Sequence, residues 1–144
     1  MHLALRTYLT RPELASSLPA ATGLNAATLE LVAQRAKTLK EWLADQGHAE
    51  LHCEIPVLGY TPDGAEIAGT IDLLAIGPKG SLLIDHKSGG AGEGLGDHWR
   101  QLSTYAGLVP TFCPQHPLCG VAIFWIDHGR LEFVEYEADA NAIA

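Results

Sequence analysis

Residues 66–87 read Glu66-Ile67-Ala68-Gly69-Thr70-Ile71-Asp72-Leu73-Leu74-Ala75-Ile76-Gly77-Pro78-Lys79-Gly80-Ser81-Leu82-Leu83-Ile84-Asp85-His86-Lys87, and the fold turns on them. Two apolar runs flank a Gly-Pro-Lys-Gly turn, the pattern of an antiparallel hairpin. Around Leu73, Leu74, Leu82 and Leu83 the runs are apolar on both faces, which places the hairpin inside a sheet. Lone charges are costly there, so Asp72, Asp85 and Lys87 are the residues that need a reason. A two-residue loop at Pro78-Lys79 pairs Ile76 with Ser81. Continued without a bulge, that register sets Asp72 opposite Asp85 and Thr70 opposite Lys87. Strand alternation keeps Asp85 and Lys87 on one face and turns His86 away.

Directly opposed side chains lie roughly 4.5–5.5 Å apart at Cβ, where like charges destabilise a strand pair. A divalent cation offsets that repulsion, and two carboxylates make a hard-oxygen site suited to Mg²⁺ or Mn²⁺. Mg²⁺ retains water, which supplies a nucleophile. Lys87 then faces the same water or phosphate, placed to orient or deprotonate the water or to stabilise the transition state. The plainer reading, three solvated groups on an open hairpin face, conflicts with the apolar residues around them.

Outward from the hairpin, residues 51–60 form a strand joined to it through Thr61-Pro62-Asp63-Gly64. A five-residue turn there brings Glu54 opposite Asp72, as a supporting carboxylate or an extra ligand; a surface strand charge is the alternative. Upstream, residues 2–9 read as a short helix and 11–23 as a connection. Asn25 caps a helix over residues 26–46, on which Leu29, Val32, Ala33, Ala36, Leu39 and Leu43 recur at helical spacing before Gly47 stops it. Downstream, residues 88–96 form a glycine-rich loop, and Asp97 caps a helix to about Val109, stopped by Pro110. Residues 118–126 and 130–136 form a last hairpin through Asp127-His128-Gly129, and 138–144 a frayed tail. This order predicts one domain of α/β (α+β) class, a mixed β-sheet flanked by helices.

The 144 residues suffice for one hydrophobic core, and 47% hydrophobic with 18% charged residues is ordinary globular composition. The net charge of −8 has the wrong sign for a module that grips DNA by bulk electrostatics. It suits an enzyme whose carboxylates hold cations against phosphate. Cys53, Cys113 and Cys119 are odd in number and lack a CxxC pair, which points to a reducing compartment and structural roles, with Cys53 packed inward. No run is long and apolar enough to span a membrane, and residues 1–6 lack a signal-peptide layout, so the cytoplasm is expected. No GxxxxGK[ST] loop provides an ATPase motor. Trp42 and Trp125 read as core, and His48, His52, His116 and His128 as surface or packing residues.

Three segments carry a resemblance. Gly69-x-x-Asp72, Ile84-Asp85-His86-Lys87-Ser88-Gly89 and Gln101-x-x-x-Tyr105 resemble, in order, three motifs of RecB-like PD-(D/E)XK nucleases. These are the exonuclease domains of RecB- and AddA-type helicase–nucleases of the UvrD/Rep family. The resemblance is best over residues 51–109 and implies a restriction-endonuclease-like core. It implies Asp72 and Asp85 as metal ligands, the His86 carbonyl as a backbone ligand and Lys87 as the catalytic lysine. His2 resembles the family's histidine ligand on an N-terminal helix; a frayed terminal histidine is the other reading. Gln101 and Tyr105, one helical turn apart, are then contacts to DNA phosphate or to Lys87, with Tyr105 in the core as the alternative. Glu54, Thr70 and Ser88 complete the expected set, as substrate contacts or supports of the ligands. Some relatives carry an iron–sulfur cluster on four cysteines, a set three cysteines cannot complete, so no cluster is expected.

The function so implied is Mg²⁺- or Mn²⁺-dependent hydrolysis of DNA, as an exonuclease on single-stranded or unwound strands in recombination and repair. An ATP-dependent helicase motor would act in cis or in trans, with this chain the C-terminal part of a larger helicase–nuclease. The competing function is a catalytically silent nuclease-like domain that binds DNA or a partner helicase subunit. His98, Trp99 and Arg100 could hold a single strand, but core packing is the favoured reading of Trp99.

Overall fold

In the computed structural model, residues 1–88 and 95–135 are described, and they form five strands with helices on both sides. The strands β1 (Glu50–Tyr60), β2 (Glu66–Gly77), β3 (Gly80–Lys87), β4 (Leu118–Trp125) and β5 (Arg130–Glu135) lie in the order β1-β2-β3-β4-β5. The β3–β4 pair is parallel and the others antiparallel, so the sheet is mixed, as expected. The expected Tyr136 and the tail fall outside the described residues, as does most of the glycine-rich loop.

Helix α1 (His2–Thr10) matches its expected range closely. The expected connection after it is instead a 3₁₀ turn, Pro12–Ser17, and a short helix α2, Leu18–Thr22. Each carries a proline in its first turn, Pro12 and Pro19, where the missing N–H costs nothing. Leu18, buried between the helices, anchors the segment. Helix α3 (Ala26–Asp45) begins where Asn25 Oδ1 accepts the Thr28 N–H at 2.8 Å and ends before Gly47, whose φ of 85° suits glycine.

Helix α4 (Leu95–Phe112) departs from expectation at both ends: Asp97 lies within it, and Pro110 does not stop it. The proline removes one N–H, but Leu102, Ala106, Val109 and Cys113 form a buried stripe that holds the chain in helical register past it. The Cys113 N–H still bonds the Val109 carbonyl at 2.8 Å.

The core has two layers. Leu5, Leu9, Val32, Leu39 and Leu43 of α1 and α3 pack on Leu73, Ala75, Leu82, Ile84 and Phe124. The α4 stripe packs on Leu74, Ile76, Leu83, Val121 and Ile123 on the opposite face. Within β1 and β2 the facing reverses partway. Leu51, Cys53, Leu73 and Ala75 face α1–α3, whereas Ile55, Val57 and Ile71 face α4. The reversal falls at Glu54, with φ 56°, and at Asp72; the ladder pairs Cys53 with Leu73 and Ile55 with Ile71 but skips the two acids between. The Glu54–Asp72 register is therefore as expected, but the pair is twisted out of the ladder. The β2–β3 ladder keeps the expected register from Gly77↔Gly80 to Leu73↔Ile84 and stops there. The expected backbone pairs Asp72–Asp85 and Thr70–Lys87 are not made.

Candidate active site

Because the ladder stops short of it, Asp72 offers a side chain where a strand would offer a carbonyl. Its Oδ2 accepts the His86 N–H at 2.8 Å. Asp85 and Lys87 alternate onto the α4 side with Leu83, and Lys87 Nζ lies 2.9 Å from Asp85 Oδ2, with side-chain exposures of 24% and 14%. That oxygen is buried and the lysine is not aligned on it as a hydrogen bond, which leaves acceptor capacity.

The two carboxyls converge. Burial, foremost, and then a hydrogen bond with Asp85 push Asp72 up to about 7, opposed by the His86 N–H. Of the two carboxyls, Asp72 is the one whose surroundings favour the protonated form.

His86 points the other way, as alternation requires. Its ring is buried, edge-on to Phe124 at 6.4 Å. Burial, and secondarily the charge of His2, push it down to about 3, so it is a neutral core residue. Its carbonyl accepts His2 Nε2–H at 2.5 Å. The structure thus brings His2, from the start of α1, to the backbone oxygen between Asp85 and Lys87.

The remaining expected residues divide. Glu54 pairs with Arg6 Nη1 at 3.6 Å and acts on Asp72 only through its charge. Thr70 and Ser88 are exposed beside the pair and the lysine. Gln101 Nε2 donates to the Tyr105 hydroxyl at 3.3 Å. That hydroxyl sits on Gly69, where any β-carbon would overlap it. The Gly69 and Gln101/Tyr105 motifs are therefore two halves of one contact between α4 and β2. Trp99 is half-buried against the α4 layer, as its packing reading requires, and His98 lies edge-on to Trp125 at 6.2 Å. Arg6 is the residue that sequence reasoning missed; its signal was its position four residues after His2, on the same helical face.

Among the described residues no three His, Cys, Asp or Glu side chains converge as a metal cage. The donors at hand are two carboxylates and a carbonyl, with His2 beside them. That sparse oxygen set is unlike a closed zinc site and fits Mg²⁺, which binds one or two carboxylates and keeps water. A cavity of about 380 Å³ between α3 and β5, lined by Trp42, Phe124, Leu131 and Phe133, lies apart from this cluster.

A mixed sheet between helical layers, with an Asp…Asp-x-Lys cluster where the ladder parts, defines a class of α+β protein recognised by that constellation. The chain belongs to the PD-(D/E)XK nuclease superfamily, whose family model matches residues 2–138. Among solved structures it is similar to the crystal structure of SSO0001, at 16% identity and a TM-score of 0.40, over 96% of this chain and 69% of that one. No curated protein matches the sequence. Among the described residues no helix is long and apolar enough to cross a membrane.

Proposed function

We propose that this chain is a Mg²⁺- or Mn²⁺-dependent deoxyribonuclease that hydrolyses phosphodiester bonds through Asp72, Asp85 and Lys87. One observation carries the reading: two carboxyls converge beside an ammonium, in surroundings that raise Asp72 well above the ordinary carboxylate range. A divalent cation held by Asp72, Asp85 and the His86 carbonyl, with His2 as a fourth donor, would supply charge neutralisation and Lewis acidity. The protein's own part is positional. The His86 N–H fixes the Asp72 carboxylate, Asp85 holds the Lys87 ammonium, and that ammonium stands ready to orient a water or to donate to a phosphoryl oxygen as charge develops. Gln101 and Tyr105 support the strand that carries Asp72, while Thr70, Ser88 and Glu54 border the substrate.

Motif order supports a finer reading: an exonuclease of RecB/AddA type on single-stranded or unwound DNA. The single domain of residues 1–144 would be the C-terminal part of a cytoplasmic helicase–nuclease for recombination and repair, with its ATP-dependent motor in cis or in trans. The decisive assay is degradation of labelled single-stranded DNA with Mg²⁺ or Mn²⁺. Lys87→Ala should cut the rate by about 10²–10³-fold while DNA binding persists. Wild-type protein that degrades nothing with either ion would defeat the reading. Metal and DNA binding retained in that case would favour a silent binding domain.

A further inference from the structure

We propose that the groove between α1 and β1 seats the single strand of DNA that flanks the bond to be cleaved, with Arg6 and Arg11 on its phosphates. The inference rests on the nuclease reading and names the path its substrate takes. The groove, of about 660 Å³, is lined from α1 by Arg6, Thr10 and neighbouring Arg11 and from β1 by His52, Glu54 and Pro56. Glu54, whose charge bears on Asp72, belongs to its lining, and the helix on its other side begins at His2, which bonds the His86 carbonyl. At 1.5 Å per residue, the helix carries Arg6 about 6 Å and Arg11 about 13 Å along its axis from His2. A line of cationic side chains therefore leads away from the acidic pair, in a chain whose net charge is −8.

Both arginines have acidic neighbours. Arg6 lies 3.6 Å from Glu54, and Arg11 lies 2.6 Å from Glu13, all four side chains more than a third exposed. Exposed pairs contribute little and yield to phosphate, which a guanidinium can grip with two parallel hydrogen bonds. Beyond Pro56, strand alternation puts Leu58 and Tyr60 on the same face, 65% and 68% exposed. An aromatic and an apolar side chain past a cationic groove are what unstacked bases rest on, whereas a duplex keeps its base faces inside the stack. The occupant is thus a single strand.

Fluorescence anisotropy with a labelled oligothymidylate in EDTA tests this without cleavage. Arg6→Ala and Arg11→Ala should each weaken binding about fivefold and reduce the slope of log Kd against log salt by about 0.7. Arg6→Lys and Arg11→Lys should recover most of the loss, which separates charge from folding. Tyr60→Ala should weaken binding, and Glu13→Gln, which frees Arg11, should tighten it. Lys37→Ala, on the exposed side of α3, should change nothing. Three results would each overturn the assignment: no binding by the wild type, equal binding by the Arg6→Ala/Arg11→Ala double variant, or a duplex held as tightly as the single strand. Binding through these arginines without cleavage in Mn²⁺ would instead remove the hydrolytic reading and leave the groove standing. Cleavage with the double variant binding as the wild type would remove the groove alone.

Discussion

Asp72 departs from ordinary carboxylate behaviour because its surroundings were arranged for something other than a bare charge. Its folded value of about 7 lies above the ordinary 3.8, so between those pH values the native state binds more protons than the unfolded chain. Stability from this group is complete below about 3.8 and is lost as pH rises towards 7. His86 acts in the opposite sense. Its folded value of about 3 lies below 6.5, so its contribution is present above 6.5 and is lost as pH falls towards 3. Over the shared window the two slopes oppose, and metal-free wild-type protein should be nearly flat in stability between about pH 4 and 6.5. Asp72→Asn removes one slope and uncovers the other. Urea denaturation in EDTA should show that variant gaining stability from pH 3 to 6.5 and exceeding the wild type at pH 8 by on the order of 1–3 kcal/mol. Asp72→Asn less stable than wild type at pH 8 would mean that neither burial nor the neighbouring Asp85 disfavours the Asp72 carboxylate.

Among the elements, the joint between α4 and the β1–β2 hairpin decides the shape of the site. The Tyr105 hydroxyl occupies the space over Gly69, and Leu108 lies close over Gly59. Gly69→Ala must push Tyr105 aside and break its bond from Gln101, at a cost of about 1–3 kcal/mol. Tyr105→Ala vacates the same space, so the double variant should be more stable than the summed single losses predict, by about 1 kcal/mol, in thermal or urea melts. Strict additivity would mean that the motifs do not meet. At the other layer, Asn25→Ala should cost about 0.5–2 kcal/mol through the lost α3 cap. These elements also mark how far the sequence could be read. Helix α3 was legible because cap, periodicity and stop agree, and the β2–β3 register followed from the Pro78-Lys79 turn alone. The twist at Glu54 and Asp72 was not, because Ile71, Leu73 and Leu74 are all apolar and a change of facing leaves no trace in such a run. Nor was the length of α4, since Pro110 is a true local stop signal that the buried stripe around it overrides. The groove arginines stayed hidden because only the docking of α1 beside β1 brings residues 6 and 52 to one surface.

At the scale of the molecule, an acidic chain that takes a polyanion must let cation and DNA help each other. The surplus of 17 acidic over 9 basic residues repels phosphate. A divalent cation held by Asp72 and Asp85 would replace the Asp72 proton and, with the Lys87 ammonium beside it, make the charge nearest the strand positive. Since coupling between two ligands is reciprocal, the factor by which Mn²⁺ tightens DNA binding is the factor by which DNA tightens Mn²⁺ binding. Lys87→Ala permits the measurement, as it should bind both while turning over about 10²–10³-fold more slowly. At fixed ionic strength and pH 7, Mn²⁺ should tighten oligothymidylate binding to this variant by about 5–100-fold, the usual range of coupling between sites. The same gain should shrink to the nonspecific level when Asp85→Asn is added. Titrated with Mn²⁺ instead, the Lys87→Ala protein should show an equal gain in metal affinity when DNA is present. Below pH 7 the Asp72 proton competes with the cation, so the coupling should demand more Mn²⁺ as the solution is acidified. A Mn²⁺ effect that survives Asp85→Asn would place the cation on the DNA rather than between the two carboxylates.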